Sequence, residues 1–372
     1  MLAGTVSAEK RVDWVDYAKG ICIILVVMMH STLGVEKAAG EMSWLNGFIE
    51  WARPFRMPDF FLISGLFLAA RIDRPWRQYF DTKLVHFAYF YILWMTIQFG
   101  MKSWGLIQAE GPLAALQAYG MGFVQPFGTL WFIYLLAIFF VAAKALRRFP
   151  PLLVFAAAAL LEMAPVATGW LVIDEFAGRF VYFFAGYWLA PRVFAFAREV
   201  GGLNPLAILA GLVAWGTINA ILVDMGWSQL PGIGLALGFI GAGAVISTGV
   251  FLARFNFAEP IRYCGQNSIV IYLAFFMFMA ATRTVLLKTG FIDDLALISL
   301  IVTVAGVAGP VLLFWAVRKT PLSFLFIRPR WAHLPATLER FPAKLRDFDD
   351  KEARSKRNQP ELVSSAPGRL EA

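Results

Sequence analysis

Apolar runs of near-membrane length follow one another along most of the chain, each closed by proline, glycine or a few charges. A transmembrane helix needs about 20 largely apolar residues. Ten segments meet that requirement, near residues 20–38, 48–70, 84–101, 129–146, 152–171, 179–198, 204–223, 230–253, 266–286 and 295–317. Pro150-Pro151 and Gly201-Gly202 mark two of the joints, as helix-ending residues should. The pattern predicts an all-α membrane protein of about ten transmembrane helices. After Trp331 no sustained apolar run remains, and mixed charge takes over. Three parts result: a cytoplasmic segment at 1–19, a membrane domain at 20–317, and a basic, largely disordered cytoplasmic tail at 318–372. No internal repeat is visible, which weighs against an inverted-repeat transporter.

Composition agrees with the pattern. Of 372 residues, 59% are hydrophobic and only 16% charged, and the mean hydropathy is +0.65. A soluble domain carries about a quarter charged residues. Thirty-five Phe and thirteen Trp suit lipid-facing surfaces and interfacial belts. The net charge of +8 points to topology rather than to nucleic acid. With the N-terminus in the cytoplasm, 26 of the 33 Lys and Arg fall in inner segments, five fall in outer ones, and Arg53 and Arg56 lie within the second span. The positive-inside rule then places both chain ends in the cytoplasm. Lys10, Arg11 and Lys19 before the apolar run Ile21–Met29 resemble a signal peptide, but no small-x-small cleavage site closes that run, so it reads as a retained anchor. Cys22 and Cys264 define no disulfide framework, and three histidines (His30, His86, His333) are too few for a multi-histidine metal site.

Ionisable groups inside the spans carry the chemistry, because keeping them there is costly unless they are paired or wet. Span 1 runs outward from Lys19 and places His30 roughly 16 Å deep at 1.5 Å per residue. Asp59 lies at the same depth from the inner end of span 2, and a core about 30 Å thick puts both near the midplane. Consecutive spans tend to be neighbours. His30 and Asp59 are therefore expected to face each other, with Arg56 about one turn nearer the outside. Glu162 shares their depth. Lys19 and His30 stand close to three whole turns apart, so one helix face joins the cytoplasmic surface to mid-bilayer. Asp16 is placed to pair with Lys19 through i,i+3 spacing.

Each group has a functional and a bland reading. His30 as a base can take a proton from a hydroxyl, oriented by a carboxylate; the alternative is a histidine and an acid that merely bond two helices. The cost of burial favours the functional reading for His30. For Asp59 and Arg56 both readings stay open, because such a pair can satisfy itself. Glu162 leans structural. Arg71, Arg74, Arg77 and Lys83 serve as a topology signal, or they hold phosphates of a cytoplasmic ligand. His86 belongs to either group. Ser64-Gly65 most simply lets two helices approach closely, and His333 carries no assigned role.

At these residues the chain resembles the integral-membrane acyltransferase family 3, over all ten spans but not the tail. Asp16-Tyr17-Ala18-Lys19-Gly20, then Val26-Val27 and His30, are similar to its Asp-x-x-Arg-Gly followed by Val-Val-x-x-His. The run from Met57 through Phe60-Phe61-Leu62-Ile63-Ser64-Gly65 to Leu68 resembles its Phe-Phe-x-x-Ser-Gly-Phe element. Leu130-Trp131-Phe132, Gly186-Tyr187 and Gly265-Gln266-Asn267-Ser268 leading to Tyr272-Leu273 match later elements. Three departures stand out. Lys19 replaces a usual Arg and loses its bidentate fork. The family's Arg-x-x-Arg is divided between Arg71–Arg74, which has the spacing, and Lys83–His86, which has the place. Ala274 and Phe275 follow Tyr272-Leu273 where many members carry a histidine.

The resemblance implies an O-acyltransferase of the bacterial inner membrane. An acyl group, acetyl first of all, would pass from acyl-CoA to a hydroxyl of a cell-envelope glycan or lipid-linked saccharide. His30 would act as base or as acyl acceptor, with Arg56 and Asp59 beside it. Lys19, Arg71, Arg74, Lys83 and His86 would hold acyl-CoA, which is a substrate; no bound cofactor and no metal are implied. Two rival expectations remain: a proton-coupled transporter using His30, Asp59 and Glu162, and an inactive structural or sensor protein.

Overall fold

Helix α1 (Asp13–Ala39) sets the layout of the structure, a computed structural model that describes residues 12–255 and 258–334. It packs against five other helices: α2 (Asn46–Gly65), α11 (Ile233–Phe255), α12 (Glu259–Gln266), α13 (Ser268–Thr289) and α14 (Leu295–Val317). Small residues allow that crowding. A Cβ on Gly20 would overlap the Ile261 carbonyl, and one on Gly265 would overlap the Asp16 carbonyl. Backbone therefore lies on backbone where α1 meets α12, the close approach that stabilises helix pairs in lipid through packing. Gly65 of α2 and Gly186 of α8 (Leu171–Trp188) make the same contact, each cleared for a carbonyl of the other helix. This agrees with the close-approach reading of Ser64-Gly65.

The remaining helices lie around this centre. They are α3 (Trp76–Phe80), α4 (His86–Glu110), α5 (Pro112–Met121), α6 (Trp131–Leu146), α7 (Pro151–Met163), α9 (Ala190–Gly202) and α10 (Pro205–Asp224). A π-helical turn, Asp81–Val85, joins α3 to α4 without a break. Among the described residues, seven helical stretches are long and apolar enough to cross a membrane: 13–39, 76–110, 128–146, 205–224, 233–255, 268–289 and 295–317; the bent pair α8–α9 makes an eighth if it is one span.

Each of the ten predicted segments has a helical counterpart, with three departures. The expected straight span at 179–198 is two helices meeting at 75°; Pro191, in the first turn of α9, cannot continue the hydrogen-bond ladder of α8. The segment at 152–171 stops being helical at Met163, because the residue before Pro165 is pushed out of the helical region. Its 13 residues span roughly 20 Å at 1.5 Å each, short of a bilayer core. Helix α2 is long enough but holds Glu50, Arg53, Arg56 and Asp59, together with Pro54 and Pro58 inside it.

The tail expected to be largely disordered from residue 318 is ordered over its first part. Residues 318–334 form two short 3₁₀ turns and pack back onto the π turn and α4. Arg328 donates to the Asp81 carboxylate at 2.8 Å and to the Asp81 carbonyl at 2.7 Å, and the Leu334 N–H donates to the other carboxylate oxygen at 2.8 Å. Trp94 and Tyr89 donate to the carbonyls of Leu325 and Phe324. The remainder of the tail expectation, from residue 335, lies outside the described residues, as do residues 1–11 of the N-terminal segment.

Candidate functional site

A cavity of about 240 Å³ opens beside the first turns of α1. Lys19 of α1 and Lys83 of the π turn are its cations. Ser64, Ser268 and Tyr272 supply hydroxyls, and Phe60, Phe67, Phe87, Phe132, Leu136 and Phe140 line the rest. Lys83 Nζ lies 4.0 Å from the centre of the Phe140 ring, and Lys19 Nζ lies 5.5 Å from that of Phe67. Both cations thus sit on aromatic faces, which attract positive charge without neutralising it. Arg71 and Arg74 add to the positive field at Lys83. The structure therefore gathers four of the five predicted ligand-holding residues. His86, the fifth, packs edge-on against Phe87 and Phe90 and is not part of the cavity wall.

The loop bearing Arg71 and Arg74 is pinned from beneath. Lys144 of α6, 1% exposed, donates to the carbonyls of Ile72 at 2.5 Å and Arg74 at 2.6 Å. Its ammonium also rests on the rings of Trp76 and Tyr79. Arg147 reaches Asp73 at 3.0 Å. By sequence Lys144 counts only as a topology charge. Its signal is weak, a single lysine in the last turn of an apolar helix.

His30 stands farther along α1, half-buried, with its ring 5.5 Å from that of Phe275. Phe275 in turn lies 6.3 Å from Tyr272, centre to centre, so a row of rings leads from the cavity to the imidazole. Arg56 is the cation within electrostatic range of His30. Its Nη1 donates to the Ile49 carbonyl at 3.3 Å, and its Nε has no hydrogen-bond partner.

Two expectations about Asp59 are corrected. It does not pair with Arg56, and it does not face His30. The carboxyl is fully buried, both oxygens lack a hydrogen-bond partner, and the α1 group it acts on is Cys22, two turns nearer the Lys19 end. Depth arithmetic matched Asp59 to His30, whereas the α1 group it acts on lies eight residues, about two turns, nearer the Lys19 end. Pro54 and Pro58 each remove an N–H from α2. Nor do His30, Asp59 and Glu162 form a relay, since Glu162 accepts from Tyr182 at 3.1 Å instead.

Comparison with known proteins adds to this geometry. A family model described as an acyltransferase domain matches residues 12–317, most of the chain. The chain belongs to the integral-membrane acyltransferase family 3. It is a multi-pass membrane protein with an acyltransferase-family domain, and α1 to α14 span the matched region. It is 28% identical over 213 residues to the Inner membrane protein YcfT of Escherichia coli (strain K12). That alignment covers 50% of this chain and 58% of the relative. No solved structure gives a significant match.

Within the matched domain the family motifs converge. Lys19, the Phe60–Ser64 element, Phe132 and the Ser268–Tyr272 stretch all border the one cavity. Gly65 and Gly186 instead clamp α2 to α8, a structural role. Tyr272 closes the far end of the cavity by donating to the Thr129 carbonyl at 2.5 Å and accepting from the Phe132 N–H at 3.2 Å. A larger groove of about 460 Å³ between α9, α10 and α11 has no ionisable residue in its wall.

Proposed function

We propose that this chain is an O-acyltransferase of the bacterial inner membrane, moving a short acyl group from acyl-CoA to a hydroxyl of a cell-envelope glycan or lipid-linked saccharide. One observation carries the reading: Lys19 and Lys83 share a cavity whose hydroxyl-bearing end leads by ring contacts to His30. Cations at the mouth suit the phosphates of acyl-CoA, with Arg71 and Arg74 extending the field. The mouth lies on the side that the basic loops place in the cytoplasm. Ligand pockets for drug-sized molecules exceed about 300 Å³. A cavity of about 240 Å³ suits an acetyl group at the end of its thioester arm rather than a fatty chain.

The chemistry starts at the imidazole. The acceptor hydroxyl gives its proton to a neutral His30 nitrogen, its oxygen attacks the thioester carbonyl, and the carbon–sulfur bond breaks as the thiolate leaves and takes up a proton. In the covalent variant His30 itself receives the acyl group and then passes it on. The Arg56 guanidinium, with an uncommitted Nε aimed into the interior, stabilises the negative charge that develops on the carbonyl oxygen. Asp59, buried without a partner beside Phe60 of the cavity wall, is held there as part of the working site rather than as a structural tie.

His30→Ala should abolish transfer, a loss of at least about 10²-fold, while the purified protein inserts and folds as before. Mass spectrometry of envelope glycans from cells carrying each form reads the missing acyl mass. Full acylation with His30→Ala would overturn the assignment. Single-turnover labelling without acceptor separates base from acyl acceptor.

A further inference from the structure

On the opposite side of Tyr272 from Lys19 lies a second polar cluster that the transfer scheme leaves unused. Gln98 of α4 is 1% exposed, and neither its amide nitrogen nor its amide oxygen has a hydrogen-bond partner. The buried Thr129 hydroxyl also lacks one. Gly128, exposed and with φ at +57°, keeps the space before them open: a Cβ there would stand 3.7 Å from the Gln98 oxygen and 3.9 Å from Lys102 Nζ. An amide that neither helix nor loop satisfies costs free energy unless something else binds it.

Two cations frame this opening. Lys102, one turn along α4 from Gln98, holds its ammonium over the rings of Phe276 at 4.4 Å and Phe127 at 5.0 Å. Arg283 of α13 donates to the Gly34 carbonyl at 3.2 Å, one turn of α1 beyond His30. Lys102 rests on Phe276 of α13 and Arg283 stands seven residues, about two turns, along that same helix, and among the described residues neither has a carboxylate within ion-pair distance. Two like charges held close, without a counter-ion, favour an anion between them. Amide, hydroxyl and aromatic face beside them are the groups that bind a sugar.

We infer that Gln98, Lys102, Thr129 and Arg283 bind the acceptor, and that the acceptor is a saccharide bearing a carboxylate or a phosphate. The inference rests on the acyltransferase reading, which it deepens by naming the charge of the acceptor. Lys102 and Arg283 take the anionic group, Gln98 and Thr129 take ring hydroxyls, and the sugar lies against Phe127 and Phe276. That places it next to Phe275 and so within reach of His30. The Tyr272–Thr129 hydrogen bond then marks the wall between donor and acceptor compartments.

The test uses the full chain in phosphatidylcholine nanodiscs with no donor present. Equilibrium binding is measured for three probes: methyl glucoside, methyl glucuronide and glucose 6-phosphate. One charged probe should bind at least about tenfold more tightly than the glucoside, with the preference shrinking at high salt. Which charged probe wins tells carboxylate from phosphate. Lys102→Gln should remove most of that preference, Lys102→Arg should keep it, and Gln98→Leu should weaken all three probes alike. Equal binding of charged and neutral probes, no binding of any, or a preference indifferent to Lys102→Gln would overturn the inference. So would full displacement of the charged probe by phosphatidylglycerol, which would make the cations a lipid-headgroup site. Acetyl-CoA consumption with the bound probe is followed separately. Selective binding without consumption removes the transferase reading and leaves the anion site; consumption without selectivity does the reverse.

Discussion

The two ends of α1 treat buried polarity in opposite ways. At the Lys19 end, charges are tied down: Lys144 by two carbonyls, Arg328 by the Asp81 carboxylate and carbonyl, Arg147 by Asp73. From the middle of α1 toward the His30 end most of the unpartnered buried atoms gather: the Arg56 Nε, both atoms of the Gln98 amide, the Thr129 hydroxyl and both Asp59 oxygens, against Asp16 Oδ2, the Tyr17 hydroxyl and Arg262 Nε at the Lys19 end. The first arrangement holds a loop and a cavity mouth in place. The second keeps hydrogen-bonding capacity for something that arrives. A buried group without a partner is the expensive choice, so its concentration in one region points to where substrate meets protein.

Substitutions can break this contrast. The largest effect is expected at the tied end. Arg328→Met should strand the Asp81 carboxylate, 0% exposed, and destabilise the protein by about 3–5 kcal/mol. Thermal unfolding in detergent measures it, and Asp81→Leu added to the same chain should restore most of the loss. If the single and double variants melt alike, the pair is not what fastens the segment. Lys144→Met comes next. Freeing the Ile72 and Arg74 carbonyls should loosen the Arg71–Arg74 loop and raise the KM for acyl-CoA by about tenfold, with kcat little changed. A fall in kcat at constant KM would instead put Lys144 in the chemical step. The smallest stability effect, and one of opposite sign, is expected in the open region. Asp59→Leu removes an unpartnered carboxyl and should raise stability by about 1 kcal/mol while lowering transfer. A variant that gains stability and keeps full activity would make Asp59 a bystander.

Much of this contrast could be read before any coordinates, because membranes leave few options for the backbone. Hydropathy located the long helices, and the three-turn spacing from Lys19 to His30 put cavity mouth and imidazole along one helix. Of the basic residues near 71–83, Lys83 lines the same cavity as Lys19, as neighbouring spans whose ends share a membrane face allow. What could not be read was which neighbour Asp59 meets: the α1 group it acts on is Cys22, about two turns from the His30 that equal depth suggests. Uncharged groups were also overlooked. Gln98 sits between Ile97 and Phe99 in an apolar run, and a lone amide at such a position is as anomalous as a charge. His333, read as having no role, lies 3.4 Å from the Asp81 carboxylate, a contact across 252 positions that no local pattern announces.

The match to the family stops at residue 317, yet the fold does not. Residues 318–334 return to the start of α4 and fasten on Asp81. A chain trimmed to the recognisable domain would leave an anion facing nothing in the middle of the π turn that carries Lys83. Truncation there would blunt donor capture first, so the smallest functional unit is longer than the homology that reveals it.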